Sequence, residues 1–178
     1  MDWTGELRNT LPAEMTLQRP FVCEGFPHES TVLIVGENPG RQLPGSHWWN
    51  WWDESIGFNF EKFLIEYLNF KNGRVYGTRR NLNFLRNNCG IRAVESNVYR
   101  NEKPAGAGCN TQRVSNDEVL SLLIEGMPNL THIVVHGDKA KIAIPTVLLG
   151  DKRTIYVKHL SRGWSYNRLT ELAEGWRK

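Results

Sequence analysis

The sequence predicts an α/β protein, a three-layer sandwich around a four-stranded, parallel, doubly wound sheet. Short apolar runs of strand length alternate along the chain with longer segments whose apolar residues recur at helical spacing. Strands that are separated by helices pair in parallel through right-handed crossovers. With 178 residues, of which 40% are hydrophobic and 23% charged, the chain is long enough to fill one core. We therefore expect a single domain over residues 1–178.

The strands are predicted where apolar residues run together or alternate and then stop at a turn. They lie at residues 31–35, within 91–99, at 131–135 and at 154–157. Helices are predicted at residues 58–69, 81–88 and 115–127, from Asp138 onward, and at about 166–176. The helix at 115–127 is expected to begin with a capping box, because Glu118 follows Ser115 by three residues.

Each predicted strand ends in polar residues. The carboxyl ends of parallel strands meet at one edge of a sheet, where α/β proteins bind ligands. The side chains at this edge would be those of Glu37 and Asn38, Asn97, His136 and His159. Amides, imidazoles and a carboxylate are the groups that a base-recognising or acid–base site uses. The sequence thus predicts one cleft that gathers them.

The turn after the first strand is the most informative of these strand ends. Its sequence is Gly36-Glu37-Asn38-Pro39-Gly40. Pro39 fixes its own φ and pushes Asn38 toward an extended conformation, while the two glycines allow backbone to approach a ligand closely. The turn would present a carboxylate and a carboxamide on a rigid loop. The alternative is an ordinary Asn-Pro-Gly turn that only reverses the chain.

Three segments together resemble the uracil-DNA glycosylase superfamily, over roughly residues 30–175. The segment 36–40 resembles motif one, closest to the mismatch-specific and single-strand-selective branches and to the branch with Gly-Glu-Ala-Pro-Gly. His159-Leu160-Ser161-Arg162 resembles the second motif, usually His-Pro-Ser-Pro. Asn97 stands where members of the family place the asparagine that recognises the flipped base. The resemblance implies a monofunctional DNA glycosylase that hydrolyses the N-glycosidic bond of a flipped uracil or modified pyrimidine.

The resemblance also implies roles for individual residues. Asn38 or Glu37 would orient the attacking water, and His159 would donate to the pyrimidine oxygen that gains charge. Asn97 would pair with the pyrimidine edge, because an amide offers one donor and one acceptor. Pro39 would line the base pocket. Trp51, within the cluster at 48–52, would stack on the base, with core packing as the alternative for this cluster.

The second motif would supply the DNA contacts. Ser161 would hold a phosphate, and Leu160, Arg162 and Trp164 are candidates for the wedge that displaces the base. Leu160 and Arg162 stand where the family usually has proline, so base extrusion is expected to be less efficient. A catalytically weak or inactive DNA-binding module on the same fold, and a glycosylase for a bulky modified base, remain as alternatives. A phosphate-binding protein is disfavoured, because the turn is not a Walker or dinucleotide motif and its carboxylate would repel phosphate.

The charges are distributed unevenly along the chain. Residues 71–113 carry nine basic and two acidic side chains, and residues 152–178 carry seven and two. If the two segments meet in space, they form the basic patch expected for a polyanion partner, here DNA. The alternative is a solvated surface whose charge simply varies along the chain.

The remaining composition excludes several classes of protein. Cys23, Cys89 and Cys109 have no Cys-x-x-Cys spacing and are expected to be reduced thiols. They do not supply the four cysteines of the iron–sulfur branch or a zinc site, so we expect no metal and no cofactor. No membrane span and no signal peptide are predicted. We expect a monomer in the cytoplasm, associated with the nucleoid if the source is bacterial.

Overall fold

The structure is a computed structural model that describes residues 1–13, 18–40, 43, 45–101, 113–150 and 152–177; Cys109 lies outside them. It is a mixed α/β fold around a mostly parallel sheet. The strands are β1 Phe21–Val22, β2 Val32–Gly36, β3 Trp52–Asp53, β4 Gly57–Phe58, β5 Ala93–Asn97, β6 His132–His136 and β7 Arg153–Val157. The helices are α1 Trp3–Thr10, α2 Phe60–Phe70, α3 Gly77–Asn87, α4 Asp117–Gly126, α5 Asp138–Ala143, α6 Thr146–Leu149 and α7 Tyr166–Gly175. No helix in the described ranges is long and apolar enough to cross a membrane.

Within the described residues, the main sheet has five strands in the order β1-β5-β2-β6-β7. The four strands predicted from the sequence are present and parallel, with β5 and β6 on either side of β2 and β7 beyond β6. The expected four-stranded, all-parallel sheet is nevertheless wrong, because β1 adds an antiparallel edge strand that pairs Phe21 with Ser96. A strand of two residues is too short for its apolar pattern to stand out in a sequence.

The central strand is buried on both faces. All five residues of β2 are buried, which explains its continuous apolar run. Leu33 and Val35 join one core cluster with residues of α1, α2 and α4. Val32 and Ile34 join a second cluster with residues of α3 and α7. Alternate side chains of one strand therefore serve two separate cores.

The predicted capping box of α4 does not form. The helix begins at Asp117, and its N-cap is Asn116, whose side chain makes no capping bond. That amide is buried and donates instead to the backbone oxygens of Pro20 and Asn97, both at 2.9 Å, and to Ser96 Oγ at 3.0 Å. Asn116 therefore ties the start of α4 to the end of β5, the strand that carries Asn97.

The tryptophan cluster is part of the core. Trp48 is fully buried and its indole N–H donates to the Phe21 carbonyl at 2.8 Å. Trp52 stacks on Trp48 and donates to Thr4 Oγ1 at 3.1 Å. These bonds join the 3-10 turn Trp48–Trp51 to β1 and α1. The cluster thus anchors the amino-terminal helix and the edge strand to the domain.

Candidate functional site

The strand order places a ligand crevice between β2 and β6. The chain leaves β2 toward β5 on one side and later crosses to β6 on the other. Ligands of open α/β sheets bind at such a switch point, outside the carboxyl ends of the strands. A cavity of about 450 Å³, here called the main cavity, opens at this position and is of the size that small-molecule sites have. Its lining includes six of the residues that the sequence analysis placed at this edge or in the base pocket: Glu37, Asn38, Pro39, Asn97, His136 and His159.

A second cavity of about 390 Å³ adjoins the main cavity. The two share Glu37, His136 and His159. The second cavity adds the predicted Ser161 and Arg162, together with two charged residues at the start of α5, Asp138 and Lys139. Polar and charged groups of both signs therefore continue outward from the main cavity, along the loops that follow β6 and β7.

The loop after β2 is held by backbone and side-chain bonds. The amides of Val98 and Tyr99 donate to the carbonyls of Gly36 and Glu37, at 2.9 and 3.0 Å, which extends the pairing of β2 and β5. The Glu37 carboxylate, whose side chain is 18% exposed, pairs with Arg113 at 2.8 Å. The Arg113 guanidinium in turn lies 4.5 Å from the centre of the Tyr99 ring. The charge of Glu37 is therefore neutralised by a fixed partner.

The packing around position 36 requires glycine, because a side chain there would collide with its neighbours. A Cβ atom at this position would lie 2.8 Å from the Asn97 side-chain amide and 2.9 Å from His136 Nε2. Both distances are shorter than van der Waals contacts allow. A Cβ atom at Gly40 would meet only Arg19, at 3.9 Å. Gly36 thus lets Asn97 and His136 approach each other across the end of β2.

Two asparagines face the main cavity from neighbouring loops. The Asn38 amide nitrogen donates to the Pro39 carbonyl at 3.2 Å. In the orientation that satisfies its hydrogen bonds, the Asn97 amide nitrogen donates to the backbone oxygens of Asn38 at 3.1 Å and Ser96 at 3.3 Å. The group that Asn97 offers to a ligand is then its side-chain oxygen, an acceptor.

His159 is held in one tautomer. The Ser161 amide donates to His159 Nδ1 at 3.2 Å, and the Ser161 hydroxyl lies 2.7 Å from the same nitrogen. Because Nδ1 accepts a backbone N–H, the proton of the neutral ring is on Nε2. Desolvation, reinforced by the positive charge of Arg162, lowers the pKa of His159 despite the opposing carboxylate of Glu37. His159 is therefore a neutral N–H donor at physiological pH.

The ring of His159 also packs against Gly137 and the ring of His136. Gly137 has φ 88°, and a Cβ atom there would lie 2.9 Å from His159 Cδ2. The His136 ring packs edge-on against His159, with 4.9 Å between ring centres and 77° between planes. Glycine at position 137 is required by both its backbone conformation and this contact.

Two of the predicted site residues are not where their expected roles require. Trp51 is 3% exposed, packs against Phe58 and Phe63, and does not belong to the described residues that line the main cavity. Leu160 is fully buried in the second core cluster, and its carbonyl accepts a hydrogen bond from Asn81. Neither side chain is exposed to stack on a base or to enter DNA, because the core already surrounds it.

Sequence reasoning missed one wall of the main cavity. Tyr67 and Tyr76 are the aromatic residues there, and Arg79 forms a bidentate pair with Glu95 at 2.5 and 2.7 Å. Both partners of this pair are about one-tenth exposed. The two partners come from different elements, Arg79 from α3 and Glu95 from β5. No local pattern in the sequence therefore indicates this buried ion pair.

No group of three or more His, Cys, Asp or Glu side chains within the described ranges is placed to hold a metal ion. Cys23 and Cys89 are buried free thiols, and burial raises the pKa of Cys23. A buried thiol with a raised pKa, such as that of Cys23, is a poor nucleophile and a poor metal ligand. The main cavity therefore offers amides, imidazoles, the phenols of Tyr67 and Tyr76, and two paired carboxylates, those of Glu37 and Glu95.

Comparison with known proteins found no protein-family model that matches the chain and no curated protein with a matching sequence. The resemblance over residues 30–175 rests on its three motifs.

Proposed function

We propose that the protein is a monofunctional DNA glycosylase that hydrolyses the N-glycosidic bond of a flipped uracil or modified pyrimidine in DNA. The observation that carries the proposal is the convergence of Asn38, Asn97 and His159 on the main cavity at the switch point. These groups come from the ends of three different strands. Their types are those that base recognition, water positioning and stabilisation of a leaving group require.

The reaction needs little acid–base chemistry from the protein. Water attacks C1′ of the deoxyribose, the bond from C1′ to the base nitrogen breaks, and its electron pair leaves with the base. The sugar passes through an oxocarbenium-like state while negative charge grows on the base oxygens. Asn38 would orient the water through its side-chain oxygen. His159 would donate its Nε2–H to the oxygen that gains charge, and the departing base finally takes the proton that water loses.

The ion pair of Glu37 favours Asn38 as the residue that orients water. Glu37 Oε1 already accepts from the Arg113 guanidinium at 2.8 Å, so this oxygen is not free to bind a water. The same pair fixes the loop on which Asn38 stands. Glu37 would thus act by positioning the loop, with Arg113 as its partner.

The surroundings of the site fit a nucleic acid partner. Ser161, Arg162 and Lys139 line the second cavity, beside the base pocket, and would bind a phosphate next to the flipped nucleotide. Lys71 lies on the other wall of the main cavity, where Arg79 is already paired with Glu95. We also infer a three-layer, doubly wound arrangement and a monomeric protein; the two core clusters supplied by alternate residues of β2 support the former.

Single-turnover excision from a uracil-containing oligonucleotide tests the proposal. Asn38→Ala and His159→Ala should each slow the chemical step about 10²–10³-fold, because each removes one preorganised group. Glu37→Gln should cause a smaller loss if Asn38 orients the water, and a collapse of the rate if Glu37 does. DNA binding should survive all three changes, because phosphate contacts supply most of the affinity.

A matched control is Asn129→Ala, which removes an exposed asparagine that precedes β6, at the opposite edge of the sheet. It should excise at the wild-type rate. Full activity in both Asn38→Ala and His159→Ala would exclude the proposed site. A wild-type protein that binds DNA but excises none of a panel of normal, deaminated and bulky modified bases would instead favour the inactive binding module.

A further inference from the structure

A third cavity adjoins the main cavity where α2 is joined to α3. Its volume is about 470 Å³, and its lining residues are Phe70, Lys71, Asn72, Arg74 and Tyr76. Lys71 and Tyr76 line the main cavity as well. The second and third cavities have no described lining residue in common. The main cavity therefore continues into two separate cavities, through two different sets of residues.

The third cavity carries positive charge and no carboxylate. Lys71 and Arg74 line it, and no acidic side chain belongs to its described lining. The Lys71 ammonium lies 4.6 Å from the centre of the Phe70 ring, and the Arg74 guanidinium donates to the Tyr76 hydroxyl at 3.2 Å. Neither cation is paired with a carboxylate there, so both can bind an anionic ligand.

Tyr76 is an exposed aromatic residue at the border of the main and third cavities. It is 55% exposed. Tyr67, the other tyrosine of the main cavity, already packs against Phe63, with 6.1 Å between ring centres. Trp51, the residue that the sequence suggested for stacking, lies in the core. Tyr76 is therefore the tyrosine of this wall that is most open to a base from solvent.

The nucleotide next to the flipped one matches these groups. Neighbouring nucleotides share a phosphate, so a strand whose base enters the main cavity must continue into the space beside it. An aromatic ring for the base and cations for the backbone are the groups with which proteins bind single strands. In a duplex, the neighbouring base stays stacked and paired, and its face is not available to a side chain.

We propose that the third cavity binds the unpaired nucleotide next to the flipped one, with Tyr76 stacked on its base and Lys71 and Arg74 at its phosphate. This inference rests on the proposed glycosylase function and narrows its substrate to single-stranded DNA. The second cavity, with Ser161 and Arg162, would hold the strand on the other side of the flipped nucleotide.

A double-mutant cycle between protein and DNA tests the stacking contact. The ligand is a single-stranded oligonucleotide with one 2′-fluoro-deoxyuridine, in which fluorine destabilises the oxocarbenium-like state and so prevents hydrolysis. Tyr76→Ala should weaken its binding about 5- to 150-fold, the range for one base stacked on an aromatic ring. A spacer without a base, placed on either side of the uracil, should abolish this difference on one side only. Tyr76→Phe, which keeps the ring, should bind like the wild type.

The phosphate contact and a matched control are tested with the same oligonucleotide. Arg74→Ala should reduce the salt slope of binding by about 0.7, the value for one phosphate of a single strand. The control is Tyr156→Ala on β7, which removes a tyrosine that is 44% exposed and has Lys141 at 5.2 Å from its ring centre. Tyr156 is not among the described residues that line the three cavities, so this variant should bind like the wild type.

The outcomes separate this subsite from the glycosylase function. Wild-type affinity in Tyr76→Ala, or a deficit that neither spacer abolishes, would overturn the subsite, whereas excision of uracil by the wild type would still support the glycosylase. A deficit of the same size on duplex DNA would also overturn it, because a paired neighbour cannot stack on Tyr76. A wild-type protein that shows the coupling but releases no uracil from an ordinary oligonucleotide would keep the subsite and overturn the glycosylase function.

Discussion

Replacing Gly36 with alanine tests the geometry of the whole site with one methyl group. The new Cβ atom would lie 2.8 Å from the Asn97 amide and 2.9 Å from His136 Nε2. Ordinary contacts of a carbon atom are about 3.5–4.0 Å, so both side chains must withdraw by about half an ångström or more. Neither can move freely, because Asn97 is bound to backbone and His136 packs against His159.

The displacement should reduce activity more than stability. A misplacement of about 1 Å in a catalytic site costs about 10²-fold in rate, and we expect Gly36→Ala to lose about 10–10²-fold in single-turnover excision. Overpacking of this kind destabilises by about 1–3 kcal/mol. At about 2–4 °C per kcal/mol for a domain of this length, the Tm should fall by about 2–12 °C. DNA affinity should change little, since the phosphate contacts lie elsewhere.

Gly175→Ala is the control. It lies at the end of α7, and a Cβ atom there would have no other atom within 4 Å. Its excision rate should be that of the wild type, and its Tm should not fall, because alanine is the better helix former. If Gly36→Ala excised at the wild-type rate with an unchanged Tm, Asn97 and His136 would not be held as the structure places them, and the reasoning would fail.

Two further predictions concern pH and salt. Unfolded His136 takes up a proton below its ordinary pKa of 6.5, whereas the folded form does so only near 3; the free energy of unfolding should therefore fall by about 1.4 kcal/mol per pH unit as the pH drops below 6.5. The free energy of unfolding, measured with urea at pH 7, 6, 5 and 4, should change less steeply with pH in His136→Phe than in the wild type. An equal steepness would contradict the burial of a neutral His136. His132 and His159, whose pKa values are also lowered, remain in both proteins. DNA affinity measured against salt should fall steeply, and Arg162→Ala should reduce the slope by about one unit. Affinity that does not depend on salt would exclude a phosphate-bound partner.

The central strands could be predicted because burial on both faces leaves a plain signal. All five residues of β2 and of β6 are buried; the run is apolar throughout β2 and between the two terminal histidines of β6, and both positions match the predicted ones within one residue. The edge strand β1 could not be predicted, because its two residues are held by Trp48 and by pairing with β5. Both contacts join residues that are remote in sequence. Likewise, Asn116 caps nothing and bonds to three groups of distant elements, so the local pattern at 115–118 was misleading.

The strand-end residues of the site could be predicted for a geometric reason. Parallel strands bring their carboxyl ends to one edge whatever the connecting helices do, so Asn38, Asn97 and His159 share a cavity. Trp51 and Leu160 were not predicted from strand ends, and no such geometric rule fixes where their side chains lie. Both proved to be core residues. The pair of Glu37 with Arg113 joins residues 76 positions apart and leaves no trace in the sequence.

The charges around the main cavity are arranged for a departing anion. Under the proposed function, the base leaves with negative charge, and a free carboxylate nearby would oppose it. Arg113 neutralises Glu37 at 2.8 Å, and His159 and His136 are neutral because desolvation lowers both pKa values. A neutral N–H donor stabilises a growing charge without the desolvation cost of a buried cation. The adjoining cationic residues, Arg162 and Lys139, lie in the second cavity, where a phosphate carries a permanent charge. The neutral histidines therefore line both cavities, whereas Arg162 and Lys139 line only the second.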